Sequence, residues 1–418
     1  MRASSFLAKL AVAGVVIASL GVAAGTRTVA PTQAAGSVSL ATWSSNPTEQ
    51  AGQKKLVDSF QNKYGTTIDF QVINGDYPTV LKARFTAGTA PDVFYINSDY
   101  FQDFASSGAL MNLDFLKNVK SFGYDQYYKN LQVGYIYNKH IYGLVKDYST
   151  LALEYNKTMF KKAGIKAPPK TWAELQKDAC KLTNRANKVY GISLSADPAR
   201  WAAFLIQAGG GSTGGGGILN KAQTKAYIKS AAGLAALKFY AGLVQKGCAA
   251  RPDQVGAGWN GEAFGRQNVA MAIEGNWITS YLQQTFPSLN WGVAPLPVDK
   301  KAGNLAFTAA YGVYARTSNK SNAIKLLEYL AGKSGTTVWS HVVGYLPARK
   351  DVKPPAGTKV FADQTKYAKD WFFPPGFTNR ALTPIGNDIQ AVMDGKMSAS
   401  SALNDMQNKA TQALQNVP

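Results

Sequence analysis

From Val38 to Ala105 short apolar runs alternate with helical ones, and few architectures accept that alternation. "VSLATW" (38–43) is β-prone and leads into a helix start. There Asn46 reads as the N-cap, Pro47 as the first helical residue and Glu49 as the capping-box partner. Leu56, Val57, Phe60 and Tyr64 then recur on one helical face, and Gly65 closes it. "TIDFQVI" (67–73) reads as a second strand. Asp76 caps a helix carrying Val80, Leu81 and Phe85. "APDVFYI" (90–96) is a third strand, and Ser98 opens a helix that turns Phe101, Phe104 and Ala105 inward. A β-α-β-α-β-α run predicts an open α/β sheet with helices on its faces.

The pattern loosens further on. "IYGLVKD" and "TLALEYN" read as two extended segments broken at Asp147, Tyr148 and Ser149. Thr171 and Glu174 form a second capping box, and Trp201 to Gln207 reads as a helix. Asn220 with Gln223 predicts a helix start, running to Gly247. "VAMAIEG", "LNWGVAPLP" and "FTAAYGVYA" are strands, and two helical stretches follow Pro384. A chain of 418 residues has room for two domains at roughly 100–200 residues each.

The N-terminus carries Arg2 and Lys9, an apolar run from Leu10 to Ala24, then the small residues of "TQAAG". That layout predicts a secretory signal peptide over residues 1–35, cut near Ala34 or Ala35. The apolar run is short of the roughly 20 residues a membrane span needs. No cysteine lies near the cut to carry a lipid. The two cysteines, Cys180 and Cys248, either pair in an oxidising compartment or stay as buried thiols.

The net charge is +20, but it is spread along the chain, with no run of five Lys or Arg and no basic stretch interleaved with aromatics. Nucleic-acid binding is therefore not expected. Diffuse basicity suits solubility or an anionic envelope.

"GGGSTGGGG" (209–217) holds a literal G-x-G-x-x-G. A dinucleotide loop must follow a strand and carry an acidic residue about 20 positions on. Here a helix precedes it, and no Asp or Glu occurs between Pro198 and Pro252. Gly217 is followed by Ile218, so it is no Walker loop either. The run is expected to be an exposed, mobile loop between two helices.

Catalytic chemistry finds little support. The only histidines are His140 and His341; there is no G-x-S-x-G, no H-E-x-x-H and no C-x-x-C. No metal site and no cofactor are expected. Carboxylate pairs, Asp92 with Asp99 or Asp147 with Glu154, leave a secreted carbohydrate-active hydrolase as an alternative. The aromatics point elsewhere. Trp43, Tyr148 and Trp277 sit where strands should end, which is where open α/β sheets hold ligands. A Trp there offers a flat face to the C–H face of a sugar ring. Trp172, Trp291 and Trp339 read as core.

Four segments together resemble the extracellular solute-binding proteins of ABC sugar importers, the maltose-binding-like group. They are "ARFTAGTAPDVFYINSDYFQDFASSGALMNLD", "IYGLVKDYSTLALEYNKTMFKKAGIKAPPKTWAEL", "FGRQNVAMAIEGNWITSYLQQTFPSLNWGVAPLP" and "GYLPARKDV", in the family's order and spacing. The resemblance implies a two-lobed α/β fold of the type II periplasmic-binding-protein kind. Each lobe would be an open mixed sheet flanked by helices, joined to the other by crossover hinges. Residues 37–147 with 305–350 would form one lobe, and 148–304 with 351–418 the other. Carried over by position, Asn97 and Asp99 would meet sugar hydroxyls. Asp147 and Tyr148 would lie at the first crossover, and Tyr311 at the return. Trp277, in Gly275-Asn276-Trp277, would be the stacking platform, and Trp43, Trp201 and Arg380 would complete the site. The chain departs from the family in having Ala309 and Ala310 where glycines are common. The implied protein is an exported, periplasmic or cell-surface monomer without catalytic activity. It would hand a sugar or oligosaccharide to a membrane permease. A polyamine or a glycerol phosphodiester is the alternative ligand.

Overall fold

A computed structural model describes residues 37–44 and 46–415; the expected signal peptide lies outside them. The strands that position the site are β1 (Val38–Thr42), β2 (Ile68–Val72), β3 (Val93–Asn97), β4 (Leu144–Asn156), β5 (Met271–Gly275), β6 (Trp291–Ala294) and β7 (Asn304–Val313). The principal helices are α1 (Pro47–Tyr64), α2 (Tyr77–Ala87), α3 (Phe101–Ser106), α4 (Trp172–Leu182), α5 (Pro198–Gln207), α6 (Ala231–Gln245), α7 (Trp277–Thr285), α8 (Lys320–Ala331), α9 (Lys333–Val343), α10 (Thr383–Met393) and α11 (Ala399–Gln415).

The opening alternation folds as the residues dictate. Asn46 Oδ1 accepts the Glu49 N–H at 3.0 Å to start α1, and Gly65, at φ 67°, ends it. β1 pairs in parallel with β2 and with β3. β7 then runs antiparallel beside β3 and beside the first half of β4. The second half of β4 turns to other partners, pairing antiparallel with β5 and with β6.

Two large apolar cores follow from this split. One gathers Val38, Leu40, Phe60, Phe94, Leu144, Val145, Leu327 and Trp339. The other gathers Leu151, Leu153, Leu175, Phe204, Tyr240, Ile273, Ile389 and Met406. β4 passes from the first core to the second without a break, and nearly every residue of it is buried. The fold is thus two-lobed, with an open mixed α/β sheet flanked by helices. Trp172 and Trp339 are buried, whereas Trp291 is only half-buried, against a small third cluster. Cys180 and Cys248 are joined in a disulfide that ties the end of α4 to the chain just beyond α6.

Three local expectations need correction. Asp147–Ser149 do not break the chain into two strands. A register shift opposite Ala309 and Ala310 lets β4 continue, with Lys146 left unpaired as the extra residue of a bulge. The helix expected from Asn220 begins only at Ala231, capped by Ser230. Asn220 Oδ1 instead accepts from Thr224 and Lys225 at 2.8 and 3.0 Å, closing a turn.

The glycine run is exposed at Gly209 and Thr213, but its second half is not an exposed loop. Gly214 to Gly217 are buried, and Gly215, Gly216 and Gly217 all have positive φ. Ser212 N–H donates to Gly217 O at 2.7 Å and Gly214 N–H to Leu219 O at 2.9 Å. A β-carbon on Gly216 would sit 2.3 Å from the Trp371 ring, and one on Gly215 would sit 2.9 Å from Phe373. Gly215 and Gly216 form a packed pad, glycine because aromatic rings approach their backbone too closely for a side chain.

Candidate functional site

Between the two cores lies a cavity of about 480 Å³. Strand ends and helix starts build its walls. From the first lobe come Trp43 after β1 and Asn97 and Asp99 after β3, with Asp147 and Tyr148 at the β4 bulge where the chain crosses over. From the second come Asp197 and Arg200 at the start of α5, and Asn276 and Trp277 between β5 and α7. Phe307 and Thr308 of β7 and Trp371 close the floor between them.

The lobes also touch around this cavity. Asn46 Nδ2 donates to Ser280 Oγ at 3.4 Å, and Thr48 N–H donates to Gln284 Oε1 at 3.0 Å, linking the start of α1 to α7. Asn276 Nδ2 donates to Gly344 O at 3.2 Å. Ser98 Oγ donates to Trp371 O at 2.6 Å.

The Trp277 face is held by polar partners behind it. Trp277 Nε1 donates to Glu274 Oε2 at 3.0 Å, and its ring meets Phe307 edge-on at 5.7 Å. Gly275 makes that ring position possible, since a β-carbon there would lie 2.2 Å from the indole. Glu274 also accepts from Arg200 at 2.6 Å and from Asn260 at 3.0 Å. Arg200 in turn reaches Asp197 at 3.0 Å and lies 5.6 Å from the Trp277 ring centre. Burial works against the Arg200 charge, but Glu274 and Asp197 hold it protonated. Glu154, buried behind Glu274, has its carboxyl pushed well up by that burial and by the Glu274 charge.

At the opposite end the bulge residue Lys146 is buried in an aromatic box. Its ammonium lies 3.9 Å from the Trp339 ring centre and 4.6 Å from that of Tyr95, and it pairs with Asp147. Asp147 also accepts from Trp339 Nε1 at 2.6 Å. Asp99 is half-buried, and its carboxyl is pushed up to about 6 by that burial, with Asp197 and Asp103 adding to the rise.

Seven of the residues singled out in the sequence meet at this cavity: Trp43, Asn97, Asp99, Asp147, Tyr148, Asn276 and Trp277. Gly275 lies directly behind it. Three are elsewhere. Trp201 is fully buried inside the second core. Tyr311 is buried in the first core, its ring 5.3 Å from Tyr95. Arg380 is exposed in a separate groove with Lys82 and Arg316, donating to Pro375 O at 2.8 Å. Sequence reasoning missed Glu49, Lys146, Asp197, Arg200, Phe307 and Trp371 in the lining. Only Asp197 had a local signal, since it precedes Pro198 as an N-cap does.

A family model described as bacterial extracellular solute-binding protein matches residues 55–384. The chain belongs to that family. It is a solute-binding protein, not an enzyme. It is 25% identical over 375 residues to the galactooligosaccharide-binding protein of Bacillus subtilis, covering 84% of each chain. It is 24% identical over 317 residues to the multiple sugar-binding protein of Streptococcus mutans, covering 72% of each. Among solved structures, an ABC transporter solute-binding protein of Thermotoga lettingae bound to α-D-tagatose superimposes with a TM-score of 0.80. That match is at 26% identity and covers 90% of this chain and 99% of the other. The GacH receptor of Streptomyces glaucescens shares the fold at 22% identity and a TM-score of 0.79, covering 91% of this chain and 100% of the other. Among the described residues, no helix of this solute-binding protein is long and apolar enough to cross a membrane. The same residues hold no cluster able to bind a metal.

Proposed function

We propose that this protein is exported and captures a sugar or short oligosaccharide between its lobes for delivery to the membrane permease of an ABC importer. The observation that carries the reading is the aromatic-walled cavity between two cores, faced by Trp43, Trp277, Phe307 and Trp371. Flat apolar faces, that of Trp277 fixed by Glu274, suit the C–H faces of pyranose rings, and the flanking amides and carboxylates suit their hydroxyls. A glycerol phosphodiester loses support, because Lys146 and Arg200 are each already paired with carboxylates.

In this reading residues 37–147 with 305–350 form one lobe and 148–304 with 351–418 the other, after removal of a signal peptide over residues 1–35. The lobes swing about β4 and β7. Ligand favours closure because it touches both walls only when they are together. Monomeric action in the periplasm or at the cell surface is part of the same proposal.

A thermal-shift screen against a sugar panel tests it, followed by calorimetry on the hits. Stabilisation by at least one sugar, lost in Trp277→Ala, is the expected result. No response to any sugar, with a response to polyamines or phosphodiesters, refutes it.

A further inference from the structure

The cavity has an unusual charge inventory for a chain of net charge +20. Its lining holds four carboxylates, Glu49, Asp99, Asp147 and Asp197, against two cations, Lys146 and Arg200. Both cations are committed. Lys146 pairs with Asp147 inside its aromatic box, and Arg200 is shared by Asp197 and Glu274. Neither is available to an anionic ligand.

Asp99 differs from the other carboxylates. Its side chain meets its own backbone N–H and that of Tyr100. Among the described residues, no Lys, Arg or His forms an ion pair with it. The charges that act on it most are carboxylates, Asp197 from the opposite lobe and Asp103 on its own side, and Asp197 is itself paired with Arg200. Closing the lobes therefore brings two like charges together, and a cation between them would relieve the repulsion. A second observation also calls for a donor. Asn276 lines the same cavity with 2% of its surface exposed, and its Oδ1 has no hydrogen-bond partner. A buried acceptor left unpaired is costly, and a ligand N–H or O–H would satisfy it.

We propose that the cleft selects a sugar bearing a positively charged amino group, with the ammonium held between Asp99 and Asp197 and the ring against the aromatic wall. This deepens the sugar-binding reading and rests on it. The aromatic faces separate it from a simple aliphatic polyamine, which has no ring to stack.

The test is calorimetry at pH 7.5 with matched sugars that differ at one substituent. Glucosamine, N-acetylglucosamine and glucose form one set; the β-1,4-linked disaccharides of each form a second, and galactosamine with galactose a third. Spermidine is included as the ringless cation. The expected result is that an amine sugar binds at least tenfold tighter than its hydroxyl and acetylated partners. In Asp99→Asn and Asp197→Asn that ratio falls to near one. Asn at 197 keeps the helix cap, and the wild-type ratio decides by itself should a variant not fold. Hydroxyl sugars binding as well as their amine partners, or a preference that survives both substitutions, overturn this proposal and leave the sugar reading standing. Spermidine binding tighter than every sugar, or no sugar of any set binding, overturns both.

Discussion

Substituting Gly216 by alanine should destabilise the protein far more than the same change seven residues earlier, and should reach the ligand cleft without touching it. Gly216 has φ 62° and ψ 22°, a left-handed conformation that costs an L-residue about 1–2 kcal/mol. Its β-carbon would lie 2.3 Å from Trp371 Cε3 and 3.2 Å from Leu305 Cδ2. The Trp371 ring cannot slide away freely, because Phe373 packs edge-on at 4.8 Å behind it. Forcing such a contact costs about 1–3 kcal/mol more. The expected loss is therefore about 2–5 kcal/mol. Gly209 is the control. Its φ is also positive, at 85°, but the nearest atom to an added β-carbon is Lys300 Cδ at 3.6 Å. Gly209→Ala should cost about 1–2 kcal/mol, the backbone part alone. Urea unfolding followed by circular dichroism and tryptophan fluorescence measures both. Since Trp371 faces the cavity, Gly216→Ala should also weaken sugar binding several-fold, and Gly209→Ala should not. Equal stability losses within about 0.5 kcal/mol would refute the claim that the second half of the run is a packed pad.

Other perturbations separate the parts of the site. Glu274→Ala should lower stability by about 2–4 kcal/mol, since it leaves Arg200 with Asp197 alone and unpairs Trp277 Nε1; Glu154→Gln should cost under about 1 kcal/mol, because burial and the Glu274 charge already push that carboxyl toward its neutral form. Paired denaturation curves distinguish the two. For Asp99, burial and the facing carboxylates keep the native carboxyl protonated up to about 6, against about 4 in the unfolded chain. The native state thus binds more protons in that window, and this group's contribution to stability falls as pH rises through it. The melting-temperature advantage of ligand-free Asp99→Asn over wild type should therefore grow from pH 4 to pH 6 and level off above; a flat difference contradicts the assignment. Replacing Cys180 and Cys248 together by serine should cost about 2–4 kcal/mol, as the bridge spans a long loop, read as a lower urea midpoint.

Legibility in the sequence tracks how local each determinant is. The caps at Asn46, Asp76 and Thr171 act within three residues, and each forms as its spacing requires. Strand ends carrying Trp43, Asn97 and Trp277 were readable because ligands gather there in open sheets. The Arg200–Glu274 pair was not, as its partners stand 74 residues apart and neither neighbourhood marks them. Lys146 read as an ordinary strand residue because a bulge has no signature without its partner strand. Asn220 and Gln223 mimic a helix start, but the Asn220 side chain spends its acceptor on a turn. The glycine run misled most directly. Glycine signals backbone freedom when nothing surrounds it, and close packing when aromatic rings do; only Trp371 and Phe373, more than 150 positions later, decide between them.

The continuity of β4 has a consequence for how the chain is made. The first core begins at Val38 yet needs β7, α8 and α9, whose residues lie between Asn304 and Val343. The second core's own segments intervene, so neither half can finish as an autonomous piece during synthesis. Such long-range closure slows folding. On the export reading proposed above, that delay would keep the chain threadable until almost its whole length is available.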